Sequence, residues 1–170
     1  MKDPFDILGI APTFDVDLDA AEKRYRDLSR VLHPDKYVGA PPAERRSALG
    51  KAVEVNEAWR LLRDPIKRAE ALFRRSGVEV REGTEPKADP EFLMEMMEQR
   101  ESLSEAKAKG DARAAERLGD AIRERENGAM RRLARGFESP SDLEKLLPLL
   151  GELRYYRRFL DEVNAIEDAT

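Results

Sequence analysis

The chain has 170 residues, 31 Lys and Arg against 35 Asp and Glu, a single His and no Cys, for a net charge of -4. That length fits one domain or two of about 80 residues each. The absence of Cys excludes a disulfide framework and a thiolate metal site, and the single His excludes paired-His catalysis. Mild acidity argues against a nucleic-acid binder, and no apolar run approaches the roughly 18 to 20 residues of a membrane span. The abundance of Ala, Glu, Arg and Leu with only 6% aromatics predicts an all-α protein. The acidic start, Met1 to Asp6, lacks the apolar stretch of a signal peptide, which implies a soluble, cytoplasmic protein.

Asp3 to Gly9 reads as a short helix, with Pro4 in its first turn and Gly9 just past its end. After a loop through Pro12, Asp17 or Asp19 is placed to cap a second helix. Its apolar stripe is Leu18, Ala21, Tyr25, Leu28 and Leu32, while Lys23, Arg26 and Arg30 occupy another side. Residues 33–42 hold three prolines and Gly39 and read as a loop. Helical spacing returns at Leu49, Ala52, Val53, Asn56, Trp59 and Leu62, which predicts the buried side of a third helix. Asp64-Pro65 restarts a helix that buries Ile66, Ala69, Leu72 and Phe73 and stops at Gly77.

Residues 79–88, with Gly83, Pro86 and alternating charges, read as a linker between a first domain over 1–78 and a second over 89–170. Asp89-Pro90 opens the first of three further helical segments, about 90–109, 111–135 and 141–168, which predict a three-helix bundle. Pro148 and Gly151 should kink the last segment or delay its start. On the segment from Pro90, Phe92, Met96, Leu103 and Ala106 share one side suited to the core. Leu93, Met94 and Met97 fan away from it toward Glu98, Glu101 and Glu105. An apolar patch with a charged rim, rich in adaptable methionine, marks a partner surface.

The sole His stands in His33-Pro34-Asp35-Lys36, directly after the helix carrying Lys23, Arg24, Arg26 and Arg30. With Phe5-Asp6-Ile7-Leu8-Gly9, Tyr25 and Asn56-Glu57-Ala58-Trp59-Arg60-Leu61-Leu62, this pattern resembles the J-domain co-chaperones. Those domains stimulate ATP hydrolysis by DnaK-class chaperones through a His-Pro-Asp loop and the basic helix before it. The resemblance therefore implies that His33, Pro34, Asp35, Lys36, Lys23, Arg24, Arg26 and Arg30 meet such a chaperone. Asp27 departs from the family's fully basic face.

Two further runs, Leu62 to Phe73 and Phe92 to Glu101, extend the resemblance over essentially the whole chain to HscB-type co-chaperones of iron–sulfur cluster assembly. It implies an N-terminal J-domain, built as a helical hairpin with flanking short helices, and a C-terminal three-helix bundle. The bundle would bind an IscU-like cluster scaffold through Leu93, Met94, Met97, Glu98, Glu101, Glu105 and Tyr155. Tyr155 replaces the family's usual Phe, so its hydroxyl must stay wet or find a partner. It is expected to point away from a stripe of Leu146, Leu153 and Leu160. The J-domain would hand the scaffold to an HscA-like chaperone, with no cofactor, no metal and no catalytic chemistry of its own. The alternative is a J-domain co-chaperone for a different client. The family picture implies a monomer, although an exposed apolar patch is also able to self-associate.

Overall fold

The computed structural model describes residues 2–80, 88–139 and 142–168. The chain divides into two compact units, Met1–Glu79 and Val80–Thr170. The described residues are helical, without strands. No helix among them is long and apolar enough to cross a membrane. Of the expected linker at 79–88, residues 81–87 lie outside the described residues.

Unit 1 contains α1 (Pro4–Leu8), α2 (Leu18–Val31), a 3₁₀ turn (Pro34–Tyr37), α3 (Pro42–Arg63) and α4 (Pro65–Arg75). Aspartates set the starts. Asp3 accepts a hydrogen bond from the Phe5 N–H at 2.9 Å, Asp17 from Ala20 at 2.9 Å, and Asp64 from Ile66 and Lys67 at 2.9 and 3.2 Å. Each such cap stabilises its helix by about 1 kcal/mol. Gly9, at φ 64°, closes α1 in the left-handed conformation that other residues adopt only with strain. Tyr25 stacks on Trp59 at 5.6 Å, while Leu32 lines the same cleft as Lys51, so α2 and α3 run antiparallel.

The buried side of α3 differs from the expected one. Ala48, Val55, Ala58, Leu61 and Leu62 enter the core, whereas Leu49 and Val53 face solvent. The small Ala48 and Ala58 let neighbouring helices approach closely, a preference that hydropathy alone does not register. Arg68, on α4, is buried against Phe14 and Leu62. Its Nε donates to the Phe14 carbonyl and a terminal nitrogen to the Leu62 carbonyl, both at 2.7 Å. The guanidinium also sits 5.0 Å above the Phe14 ring. Burial pulls its pKa below the usual arginine value, opposed by Asp15 and Asp64.

Unit 2 is built from α5 (Pro90–Lys109), α6 (Ala112–Glu138), a second 3₁₀ turn (Leu143–Leu146) and α7 (Leu147–Glu167). Pro148 falls in the first turn of α7, so it delays the helix rather than kinking it. Contacts of Gly119 with Val163 and of Gly136 with Leu146 set α6 and α7 antiparallel. Pairing of Phe92 with Tyr155 and of Arg100 with Glu162 sets α5 parallel to α7. The core stripe of α7 is Leu149, Leu150, Leu153, Tyr156, Phe159 and Val163. Of the expected Leu146, Leu153 and Leu160, only Leu153 is fully buried, because the helix starts after Leu146 and presents its 150/153 edge inward.

The α6–α7 seam gives a direct test. A Cβ on Gly136 would lie 2.3 Å from Leu146 Cδ1, whereas one on Gly151 would meet nothing within 4 Å. Gly136→Ala is therefore expected to destabilise unit 2 by about 1 to 2 kcal/mol, since overpacking moves the Leu146 side chain out of its seat. Gly151→Ala is expected to stabilise by about 0.5 to 1 kcal/mol through helix propensity. Urea unfolding followed by circular dichroism separates the two. Equal shifts for both variants would contradict this packing.

Candidate functional site

Two exposed surfaces, one on each unit, carry the residues singled out from the sequence. The first begins where α2 stops at Leu32. His33 precedes a proline, which excludes the helical conformation, and it adopts φ -61°, ψ 132°. Pro34 to Tyr37 then wind into one 3₁₀ turn, closed by the Lys36 N–H donating to the His33 carbonyl at 3.0 Å. The Asp35 N–H donates to His33 Nδ1 at 3.3 Å, and an Asp35 carboxylate oxygen lies 3.5 Å from that nitrogen. With Nδ1 accepting from that N–H, Nε2 is left as the nitrogen able to donate. The Tyr37 hydroxyl donates to the Val31 carbonyl at 3.4 Å. His33, Pro34, Asp35 and Lys36 are all exposed. The turn thus presents an anionic carboxylate and an N–H donor side by side on a rigid frame.

The α2 face is not the basic stripe that counting cations suggests. Lys23, Arg26 and Arg30 border one shallow depression together with Asp19, Glu22 and Asp27. Arg26 pairs with Glu22 at 2.7 Å and Arg30 with Asp27 at 3.5 Å. Exposed pairs of this kind contribute at most about 1 kcal/mol, so the cations remain exchangeable. Arg24 leaves the group altogether. Its Nε donates to the Leu8 carbonyl at 3.2 Å, tying α2 to the end of α1.

The second surface is the solvent side of α5. Met96, Leu103 and Ala106 are buried, while Leu93, Met94 and Met97 are 45%, 67% and 71% exposed. Glu98, Glu101 and Glu105 continue the same exposed side, with Glu105 bonded to Lys109 at 3.2 Å. The patch therefore stands on a helix whose opposite side is anchored. Phe92 fixes that anchor with edge-to-face contacts to Tyr155 at 5.9 Å and Tyr156 at 5.8 Å.

Tyr155 lies off the core stripe, and its hydroxyl finds a partner rather than staying wet. It is half-buried in the α5–α7 seam, and its hydroxyl donates to the Met96 carbonyl at 3.1 Å. Burial raises its pKa, with Arg100 opposing that shift. Arg100 was not legible as a site residue. It lies over the Tyr155 ring at 5.6 Å and reaches Glu162 at 2.5 Å. Its place four residues after Met96, at the border of core and exposed stripes, is the signal that marks it.

Next to Tyr155, Tyr156 is pushed up to about 12, chiefly by burial with Glu152 adding to it. A raised folded-state value favours the neutral phenol. Its contribution to stability is then complete below pH 10 and is lost as pH rises toward about 12. The phenolate absorbance of wild type should accordingly contain a late-titrating component that Tyr156→Phe removes. A single ordinary phenol titration would contradict it.

Among the described residues, no group of three or more His, Cys, Asp and Glu side chains is placed to hold a metal ion. Comparison with known proteins covers both units. Residues 3–71 match the DnaJ domain family, and residues 88–164 match the family described as the HSCB C-terminal oligomerisation domain. The co-chaperone protein HscB homolog of Shewanella oneidensis is 32% identical over 168 residues, spanning 97% of each chain. That of Bordetella petrii is 42% identical over 105 residues, or 62% of each chain. The chaperone HscB from Vibrio cholerae superposes with a TM-score of 0.87 at 27% identity over 99% of both chains. The crystal structure of human co-chaperone protein HscB gives a TM-score of 0.90 at 25% identity, over all of this chain and 84% of that one. With a J-domain turn on one unit, a patterned α5 face on the other and relatives matching end to end, the chain belongs to the HscB family of J-domain co-chaperones.

Proposed function

We propose that this co-chaperone holds an iron–sulfur cluster scaffold protein on α5 and presents it to a specialised DnaK-class ATPase, which its J-domain stimulates, in the cytoplasm. Leu93, Met94 and Met97 supply the apolar contact, and Glu98, Glu101 and Glu105 its acidic rim. Tyr155 with Arg100 holds α5 in place behind them. His33, Pro34, Asp35 and Lys36 form the trigger, and Lys23, Arg26 and Arg30 exchange their own carboxylates for those of the chaperone during docking. Arg24 acts by fixing α2 on α1.

The observation that carries this reading is the pairing, on one chain, of an exposed His-Pro-Asp turn with an exposed Leu/Met patch backed by a fixed seam. The coupling is tethering. Once the scaffold is held, its weak contact with the chaperone becomes effectively intramolecular, and hydrolysis closes the chaperone on the client. Cluster release to acceptors would follow from that capture.

Steady-state ATP hydrolysis by the partner chaperone, with this protein and the scaffold added singly and together, tests the scheme. Synergy is expected for wild type. The Leu93→Ala/Met97→Ala double variant should keep the scaffold-free stimulation and bind the scaffold about tenfold or more weakly, as truncating central apolar contacts does. Stimulation indifferent to the scaffold would instead indicate a J-domain co-chaperone with another client.

A further inference from the structure

The chain holds five Met and no Cys, so thioethers are its only sulfur groups. Of the side chains it does contain, the thioether is the one peroxide oxidises most readily, at a rate that follows exposure. Three of the five lie within four residues of α5, and unit 1 contains none beyond Met1. Met96 is 1% exposed and packs in the core of unit 2, whereas Met94 and Met97 are 67% and 71% exposed. Met130, on α6, is half-buried. Helical geometry explains the sorting. Met94 and Met97, three residues apart, share the outer side, and Met96 turns inward between them. Among the described residues, the two sulfurs most open to an oxidant therefore stand in the apolar patch itself.

What oxidation changes is equally local. A sulfoxide replaces a flexible apolar group with a polar one whose oxygen accepts hydrogen bonds. The rim offers that oxygen no partner. Glu98 and Glu101 are themselves acceptors, and the Ser102 hydroxyl already donates to the Glu98 carbonyl at 3.0 Å. Each sulfoxide thus stays hydrated, and a partner that covers the patch must strip that water. The core is untouched, since Met96 keeps its side chain in the interior and its carbonyl on the Tyr155 hydroxyl at 3.1 Å. Oxidation here alters a surface and spares the helix that carries it.

We propose that Met94 and Met97 are sites of a reversible oxidative modification by peroxide that switches off client binding on α5, an inference that rests on the scaffold-binding reading of α5 given above. In the forward step the thioether sulfur attacks one peroxide oxygen. An S–O bond forms, the O–O bond breaks, and the departing hydroxide takes the proton of the transferred oxygen and leaves as water. The sulfur loses two electrons and the peroxide gains them. A methionine sulfoxide reductase reverses the step, with a dithiol supplying two electrons and the oxygen leaving as water. Because the His33–Asp35 turn lies in a unit with no methionine beyond Met1, the modification separates two activities. Stimulation of the chaperone persists while delivery of the client stops.

Full-length protein treated with hydrogen peroxide, quenched with catalase and mapped by peptide mass spectrometry tests the site. Sulfoxide is expected at Met94 and Met97 at least about tenfold faster than at Met96. Equal rates, or Met96 oxidising first, would overturn the proposal. Protein oxidised at those two positions should keep its helical circular dichroism and bind the scaffold, added only after quenching, about tenfold or more weakly. Reductase with dithiothreitol should restore that binding. Met94→Leu/Met97→Leu, compared with itself before and after peroxide, should show no change, since leucine has no sulfur to oxidise. Affinity undiminished by full oxidation at 94 and 97, a loss the reductase does not repair, an equal loss in the leucine variant, or a collapse of helical signal would overturn the inference and leave the reading of α5 standing. Unoxidised wild type that fails to bind the scaffold would overturn the reading of α5 and the inference with it.

Discussion

Asp35→Asn is expected to abolish stimulation of the chaperone ATPase, lowering the stimulated rate about tenfold or more, while leaving fold and scaffold binding unchanged. The substitution is nearly isosteric and removes only charge. The turn does not depend on that charge, since His33 is held by the backbone N–H of residue 35 and the turn is closed by Lys36 and His33. The carboxylate projects into solvent beside the imidazole and, among the described residues, has no Lys or Arg partner. Its loss therefore reads on what the turn meets, not on what holds it. Circular dichroism and scaffold titration supply the controls. Full stimulation by Asp35→Asn would remove the turn from the mechanism, however well the rest of the family pattern fits.

The largest stability effect should come from Arg68→Met. A buried guanidinium with two 2.7 Å bonds to the Phe14 and Leu62 carbonyls joins the loop before α2 to the end of α3. Methionine matches the length of the stem but removes both bonds. Although the Phe14 carbonyl keeps the Val16 N–H at 3.1 Å, the loss of two charge-assisted bonds costs about 2 to 3 kcal/mol after allowing for the desolvation no longer incurred. Trp59 is the sole tryptophan, stacked on Tyr25 inside unit 1, so its fluorescence reports on that unit. The urea midpoint should fall by about 1 to 2 M. An unchanged midpoint would show that the guanidinium bonds do not hold the loop to α3.

Helix starts were legible because their chemistry is local. Asp-Pro at 3–4, 64–65 and 89–90 carries both the cap and the fixed φ of the first turn, and each starts a helix where expected. The exposed identity of Leu93, Met94 and Met97 was legible too, because Met96 and Leu103 claim the core side of the same helix. The buried side of α3 was not. Alanines form its seam, and the larger Leu49 and Val53 outweigh them in any hydropathy reading while pointing outward. The same holds for the α2 face, where the cations are visible in sequence but their pairing with Glu22 and Asp27 depends on side-chain geometry. Tyr155 was legible only in part, its need for a partner but not the partner's identity. Periodicity placed it off the core stripe, but the carbonyl it bonds belongs to a helix some 59 residues away in sequence, a relation no local pattern encodes.

The hydrogen bonds that shape the His33–Tyr37 turn run between residues 31 and 40, from Val31 to Tyr37, His33 to Asp35 and Lys36, and Tyr37 to Ala40. A turn specified by ten neighbouring residues is inherited as a unit. Substitutions elsewhere in unit 1 can accumulate without redrawing it, provided the two helices still deliver its ends. Superposition retained at 25% and 27% identity is the outcome such autonomy permits. The turn's conformation is then expected to outlast most of the sequence around it, and transplanting residues 31–40 between distant relatives should leave it intact.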